Sequence, residues 1–109
     1  MIEAVMTFDL LPNIDMKAYQ EWVDKVGVTM ASQPGLVEFR ANRNMLGNPM
    51  SRTVTTFQSL EDWAKFSQGP WQSIGFEFRK FATNLKVELW GSSPLMSQPV
   101  RPTQYVGAL

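Results

Sequence analysis

Residues 36–58 read LVEFRANRNMLGNPMSRTVTTFQ, and this stretch decides the fold. Its first part, residues 36–43, alternates between apolar and polar side chains, which is typical of a β-strand with one buried face. Residues 51–58 are rich in β-branched side chains and predict a second strand. The residues between them include glycine, asparagine and proline, which favour a turn. The stretch therefore predicts a β-hairpin.

A strand and a helix precede the hairpin. Residues 2–9 alternate between apolar and polar side chains and predict a strand. In residues 16–31 the apolar side chains recur at steps of three and four, which predicts an amphipathic helix. Either Asn13 or Asp15 is suited to cap its N-terminus, and Pro34 ends it.

A broken helical region and a last strand follow the hairpin. Ser59, with Asp62 three residues later, predicts a helix N-cap, and Gly69 followed by proline predicts a break in that helix. Residues 85–90 alternate and predict the last strand. The apolar stripe between the break and this strand consists of Trp71, Ile74, Phe78, Phe81 and Leu85.

The element order β-α-β-β-α-β predicts an α+β fold of the ferredoxin-like kind. In this fold a four-stranded antiparallel sheet carries both helical regions on one face. Residues 1–91 would form this domain. Residues 92–109 contain three prolines and no periodic pattern. They predict an extended C-terminal tail, which is either disordered or packed on a partner subunit.

The sheet face opposite the helices, the outer face, is predicted to mix charged and apolar side chains. A dry core would not hold its six charges, and a solvated face would rarely carry valines and a tryptophan. We therefore expect a homodimer in which two sheets close into one barrel. The alternative is a solvated face with scattered apolar residues. The outer face consists of Glu3, Val5, Thr7, Glu38, Arg40, Asn42, Arg52, Val54, Thr56, Lys86, Glu88 and Trp90.

Composition excludes several classes of function. The 109 residues fit one domain and include neither cysteine nor histidine. Disulfides and thiolate metal sites are thereby excluded, as are the commonest general base and metal ligand. The net charge is zero and no basic stretch occurs, so nucleic acid is not an expected partner. No apolar run approaches the roughly 20 residues of a membrane span, and no signal-peptide pattern is present. We expect a cytoplasmic protein.

Three motifs carry a resemblance to a known family: PGLVEFRANRN at 34–44, FQSLEDWAKF at 57–66 and LKVELWG at 85–91. They resemble the antibiotic biosynthesis monooxygenase family of the dimeric α/β-barrel superfamily, over residues 1–91. The resemblance implies a homodimer whose subunits each bind a flat phenol between sheet and helices. It also implies that no cofactor is needed, because the deprotonated substrate itself gives an electron to oxygen.

The resemblance assigns roles to few positions. Trp63 matches the family's helix-two tryptophan, whereas Ser59 stands where quinone-forming members have an asparagine. The haem-degrading members need a histidine about ten residues after that tryptophan, and Ser73 stands there, so haem is not expected. The cation that the family places near its substrate has three candidates: Arg40, Arg52 and Arg79.

Two sets of side chains are the candidate site. Trp63, Asp9 and Tyr19 are the catalytic candidates, since carboxylates and phenols are the bases that remain. The expected substrate-binding walls are Phe8, Trp22, Phe39, Phe66, Trp71, Phe78 and Phe81, because rigid rings bind flat ligands well. The alternative is that the rings fill the core, that Asp9 caps a turn and that the Tyr19 hydroxyl is satisfied within the core.

Three functions fit these residues. The first is a cofactor-independent monooxygenase acting on a small aromatic or phenolic metabolite. The second is a non-catalytic protein that binds a hydrophobic small molecule. The third is a structural dimer with a filled core. A pocket of several hundred cubic ångströms would favour the first two functions over the third.

Overall fold

The computed structural model describes residues 1–102. Its elements, in chain order, are β1 Ile2–Leu10, α1 Met16–Ala31, β2 Leu36–Arg43, β3 Ser51–Phe57, α2 Leu60–Gln68, α3 Pro70–Phe78 and β4 Ala82–Trp90. The four strands form one antiparallel sheet in the order β2-β3-β1-β4. The ferredoxin-like α+β fold expected from the sequence is thus confirmed.

Local side-chain chemistry sets the start of α1. The Asp15 carboxylate accepts hydrogen bonds from the backbone N–H groups of Lys17 and Ala18, at 3.0 and 3.1 Å. These N–H groups have no partner within the helix, so the cap stabilises its first turn. Asn13 instead adopts a positive φ of 62° in the preceding turn. Of the two cap candidates, Asp15 is therefore the cap.

The end of α3 differs from the expectation. The helix ends at Phe78 and β4 begins at Ala82, whereas the apolar stripe extended to Leu85 and the strand was expected from there. The register between β1 and β4 shifts at this point. Asn84 lies within the shift with a positive φ of 57°, a conformation that asparagine tolerates better than most residues. The apolar spacing of three and four residues thus continued from α3 into the bulge of β4 by coincidence.

Buried aromatic rings lie at both ends of the sheet. At one end, Phe8, Phe78 and Ala82 form a buried cluster, in which the Phe8 and Phe78 rings meet edge to face at 4.7 Å. At the other end, Phe57 is fully buried and its ring lies 5.5 Å from that of Phe66. These contacts attach the helices to the sheet.

The helices leave the inner face of β4 partly uncovered. Val87 is 52% exposed and Leu89 is 40% exposed. Both are paired in register with inward-facing residues of β1, namely Met6 and Ala4. The helices therefore do not cover the whole inner face of the sheet.

Two of the motifs that carried the family resemblance meet in space. Gly35 has a φ of 76°, and a Cβ atom there would lie 2.2 Å from the Asp62 carboxylate. That carboxylate accepts a hydrogen bond from the Ser59 hydroxyl at 3.0 Å, while Ser59 caps α2 by accepting from the Asp62 N–H. The backbone N–H of Gln58 donates to the Gly35 carbonyl at 2.9 Å. Glycine is therefore required at position 35 by both its conformation and its neighbour.

The described part of the tail contains neither helix nor strand from Gly91 to Val100. Leu95 is 96% exposed, so none of residues 1–102 covers it. Packing of the tail on a partner subunit stays a prediction, and residues 103–109 lie outside the described residues. Within residues 1–102, none of the helices has the length and apolar character needed to cross a bilayer.

We predict that Gly35→Ala lowers the free energy of unfolding by about 1–3 kcal/mol, the usual cost of a left-handed non-glycine residue. The contact with Asp62 adds to this cost. The matched control is Gly27→Ala on α1, where an added Cβ meets nothing within 4 Å. It should stabilise the fold by about 0.5–1 kcal/mol, because alanine favours a helix. Urea denaturation measures both variants, and equal effects would contradict the proposed constraint.

Candidate functional site

A cavity of about 380 Å³ lies between the helices and the inner face of the sheet, and it is partly open to solvent. A volume of this size is within the usual range for small-molecule sites. All four strands and all three helices contribute to its lining. Eight of the ten residues expected at the site line it: Phe8, Tyr19, Trp22, Phe39, Trp63, Phe66, Trp71 and Phe78.

Small side chains in the middle of the sheet create the space. Ala4 of β1 is paired with Thr55 of β3, and Ala41 of β2 is paired with Thr53 of β3. All four line the cavity. Large side chains at these central positions would fill it, as rings do at both ends of the sheet.

The break between α2 and α3 shapes the opposite wall. Gly69 ends α2, and Pro70 occupies the first turn of α3, where its missing N–H is not needed. Trp63 precedes the break and Trp71 follows it, and both line the cavity. The Trp71 indole lies against Gly75 so closely that a Cβ there would be 3.1 Å from its ring. Glycine at position 75 thus lets this indole lie along the helix.

Phe81 is the first of two expected site residues that do not line the cavity. Its ring packs 5.3 Å from that of Tyr19 and 5.6 Å from that of Trp22. Phe81 follows the end of α3, in the turn before β4. It supports two lining rings from behind, which corrects its assignment as a substrate-binding residue.

Asp9 is the second. Its carboxylate accepts hydrogen bonds from the Asn84 side chain at 2.9 Å and from the Met50 backbone N–H at 2.8 Å. The Asn84 bond, and then the Met50 bond, hold the pKa of Asp9 below its ordinary value. The catalytic role considered for Asp9 would need its carboxylate to face the cavity. The structure corrects this: Asp9 joins the β4 bulge and the start of β3 to β1, and its lowered pKa makes it a poor base.

Tyr19 lies in the cavity wall, as expected. Burial raises the pKa of its phenol above the ordinary value. The Tyr19 hydroxyl forms no hydrogen bond to another described residue. Its oxygen is also absent from the buried polar atoms that lack a partner. The hydroxyl is therefore accessible and, at neutral pH, protonated. It can donate a hydrogen bond to a ligand, but its proton is held too tightly for it to act as a base.

Several other polar residues take positions that the sequence did not settle. Ser59 caps α2 and does not line the cavity, so the serine in place of the family's asparagine has a structural role. Ser67, one turn after Trp63 on the same helix, does line the cavity, and helical periodicity could have identified it. The cavity lining within residues 1–102 includes none of the three candidate arginines and no other charged side chain.

Comparison with family models and with curated proteins gives no match, but solved structures do match. SnoaB, a cofactor-independent oxygenase from Streptomyces nogalater, is 14% identical with a TM-score of 0.67, over 84% of this chain and 91% of its own. HapK from Hahella chejuensis is 15% identical with a TM-score of 0.67, over 86% and 94%. The hydroxynitrile lyase from Passiflora edulis is 13% identical with a TM-score of 0.72, over 85% and 94%.

This chain shares its ferredoxin-like fold with these structures. The resemblance found in its sequence is confirmed for the fold, because identities this low show the fold alone. An oxygenase and a hydroxynitrile lyase are both among the similar structures. The fold therefore does not select the reaction, which depends on the side chains around the cavity.

We predict that Tyr19 titrates above the ordinary tyrosine pKa of about 10. The difference in tyrosinate absorption between wild type and Tyr19→Phe isolates this residue from the other tyrosine of the chain. The folded state holds the Tyr19 proton more tightly than the unfolded state does. Protonated Tyr19 therefore adds to the free energy of unfolding below pH 10, and this contribution is lost as pH rises through the raised pKa. The melting temperature should fall less with alkaline pH in Tyr19→Phe than in wild type. A difference midpoint at or below 10 would contradict the burial of Tyr19.

Proposed function

We propose that this chain is a cofactor-independent monooxygenase that acts on a small, uncharged aromatic or phenolic metabolite bound in the cavity. The observation that carries the proposal is the lining itself, which combines rigid aromatic walls with an accessible tyrosine hydroxyl. The sequence resemblance and the likeness to a cofactor-independent oxygenase support the reaction type. The aromatic walls support the substrate class, since flat rings bind well between rigid rings.

Electrostatics favours a ligand that enters uncharged. No lysine, arginine, aspartate or glutamate lines the cavity within residues 1–102, and an unpaired charge in apolar surroundings is costly. The lining residues carry several hydrogen-bond donors: the hydroxyls of Tyr19, Ser67, Thr53 and Thr55 and the indole N–H groups of Trp63 and Trp71. The Tyr19 hydroxyl and these two indole N–H groups belong to the aromatic walls, and none of the three is buried without a partner. They are suited to stabilise the oxygen of a phenol as it loses its proton.

The chemistry balances without a further reductant. A phenol with a free para position reacts with O₂ to give a para-quinone and water. One oxygen atom becomes the new carbonyl, and the other leaves as water with the two hydrogens that the substrate loses. In this reaction the phenol is the reductant, and the protein orients it and stabilises its anion. We assign Trp63 and Tyr19 to these tasks and leave Asp9 out, because its carboxylate is engaged with Asn84 and Met50.

The competing function is a non-catalytic protein that binds a hydrophobic small molecule. One observation favours it: the only ionisable side chain in the described lining is Tyr19, whose raised pKa makes it a poor base. An enzyme with this lining must act on a substrate that loses its proton readily. The two functions are therefore distinguished by oxygen consumption and not by binding.

We predict that 1-naphthol binds in the cavity and that its fluorescence reports the binding. Ala4→Leu should abolish binding without unfolding the protein, because the larger side chain fills the cavity floor. The matched control is Ala31→Leu, at an exposed position at the end of α1. Naphthalene-1-sulfonate, which has the same rings with a fixed charge, should bind about tenfold more weakly.

Oxygen uptake then tests the reaction on 1-naphthol, with 1,4-naphthoquinone as the expected product. Trp63→Phe and Tyr19→Phe should each slow it at least about tenfold, the effect of losing one donor to a developing anion. Binding without oxygen uptake would favour the non-catalytic function. Unchanged uptake in both variants would contradict our assignment of residues, and 1-naphthol binding that survives Ala4→Leu would contradict the cavity as the site.

We further propose a homodimer formed through the outer face of the sheet. Strand register arranges this face in three cross-strand rows. The first row holds Glu38, Thr56, Glu3 and Trp90; the second holds Arg40, Val54, Val5 and Glu88; the third holds Asn42, Arg52, Thr7 and Lys86. The first row is therefore acidic and the third is basic. If the strands of a second copy run in the opposite direction across the interface, its acidic row lies over the basic row of the first copy.

Burial refines which residues would drive this contact. Val54 is only 1% exposed within the single chain, so it offers little surface to a second copy. Trp90, at 56% exposed, offers far more. Arg40 pairs with Glu38, and Lys86 pairs with Glu88, on their own strands. The tail begins directly after Trp90, at a corner of this face, which supports our prediction that it packs on the partner subunit.

We predict a mass of twice the single chain by sedimentation equilibrium. Arg52→Glu should weaken the dimer roughly tenfold, because it places like charges opposite one another. The double variant Arg52→Glu with Glu3→Arg should dimerise as tightly as wild type does. Glu3 and Arg52 lie two rows apart in one chain, so this rescue can only occur between chains. Lys25→Glu on the exposed side of α1 is the matched control. A monomeric wild type would contradict the dimer, and failure of the rescue would contradict the row pairing.

A further inference from the structure

The Trp22 indole makes a polar contact that neither the fold nor the proposed reaction accounts for. Its Nε1–H donates a hydrogen bond to the Glu77 carboxylate at 2.6 Å. The two residues are 55 positions apart, and the bond joins α1 to α3. Hydrogen bonds to ionised acceptors are shorter and stronger than neutral ones. Within residues 1–102, this is the only side-chain hydrogen bond between these two helices.

Trp22 is also the centre of the aromatic wall. Its ring stacks on Phe78 at 5.2 Å with an interplanar angle of 22°. On Tyr19 it stacks at 6.2 Å and 24°. Stacking fixes the plane of an indole but leaves two orientations, which are related by a half-turn about the bond that joins the ring to Cβ. A hydrogen bond at Nε1 removes this freedom, so the two kinds of contact together define one orientation of a cavity-lining ring.

Glu77 has no salt-bridge partner among the described residues, and it does not line the cavity itself. Its carboxylate is exposed. Holding a glutamate side chain in one rotamer costs conformational entropy, and a hydrogen bond to a charged group is among the contacts that can offset this cost. The observed contact of this carboxylate is with a residue of the cavity wall.

We propose that Glu77 is a positioning residue of the ligand site. It holds Trp22 in the orientation that keeps the cavity open, and it joins α1 to α3, both of which line the cavity. The proposal rests on the proposed function in that it takes the cavity as a ligand site. It adds a residue that neither the sequence motifs nor the family resemblance indicated.

Hydrogen exchange of the Trp22 indole N–H tests the contact directly. The four tryptophans give four indole signals in a ¹⁵N–¹H spectrum, and Trp22→Phe identifies the relevant one. Glu77→Ala should speed this exchange at least about tenfold, the effect of losing a hydrogen bond to a charged group. Glu77→Gln retains an acceptor oxygen and should keep most of the protection. Glu61→Ala, which removes an exposed glutamate of α2 paired with Lys65, should change nothing.

Ligand affinity then tests the role. Glu77→Ala should weaken 1-naphthol binding about tenfold, while Glu77→Gln and Glu61→Ala bind as wild type does. If wild type binds 1-naphthol and Glu77→Ala binds it equally well, the role of Glu77 is overturned while the cavity stands. An unprotected Trp22 N–H in wild type would also overturn it. If wild type binds no 1-naphthol, the proposed function itself fails. Loss of Trp22 N–H protection only in Glu77→Ala would then show that the contact between Glu77 and Trp22 is purely structural.

Discussion

The uneven distribution of side-chain size over the inner face of the sheet determines the rest of this structure. Aromatic rings stand at both ends, with Phe8 and Phe78 at one and Phe57 and Phe66 at the other. These rings act as spacers that hold the helices away from the strands. Alanine and threonine in the middle do not reach across the resulting gap. The cavity is therefore a consequence of packing at its two ends.

The short helix α3 adjusts the walls of that cavity. Its first turn begins at Pro70, after the break at Gly69, and so it can take a direction different from that of α2. Gly75 lets the Trp71 indole lie along the helix. Glu77 of the same helix accepts a hydrogen bond from the Trp22 indole. Two cavity indoles are thus positioned by one nine-residue helix. The helix break, which separates α3 from α2, is what allows this segment to be placed independently.

Sequence patterns predicted the fold because its elements depend on local periodicity and on capping chemistry. The Ser59 cap and the alternation of the hairpin were sufficient for this. Phe81 was misplaced because helical spacing continued by chance across a turn. Asp9 was misjudged because its partners, Asn84 and Met50, are distant in the chain. Long-range pairs such as Trp22–Glu77 leave no local signal, and the size of a cavity depends on which residues face each other across the gap.

The proposed reaction, unlike the fold, rests on very few groups. The chain has no histidine and no cysteine, and the described cavity lining offers neutral hydrogen-bond donors but no charged base. Such a site can hold a ligand and stabilise a developing anion, but it cannot remove a tightly held proton. The proposed function therefore requires a substrate that brings its own reactivity, as an easily oxidised phenol does. A fold shared with both an oxygenase and a lyase is compatible with this, because each protein's chemistry depends on the few polar groups that its cavity presents to the ligand.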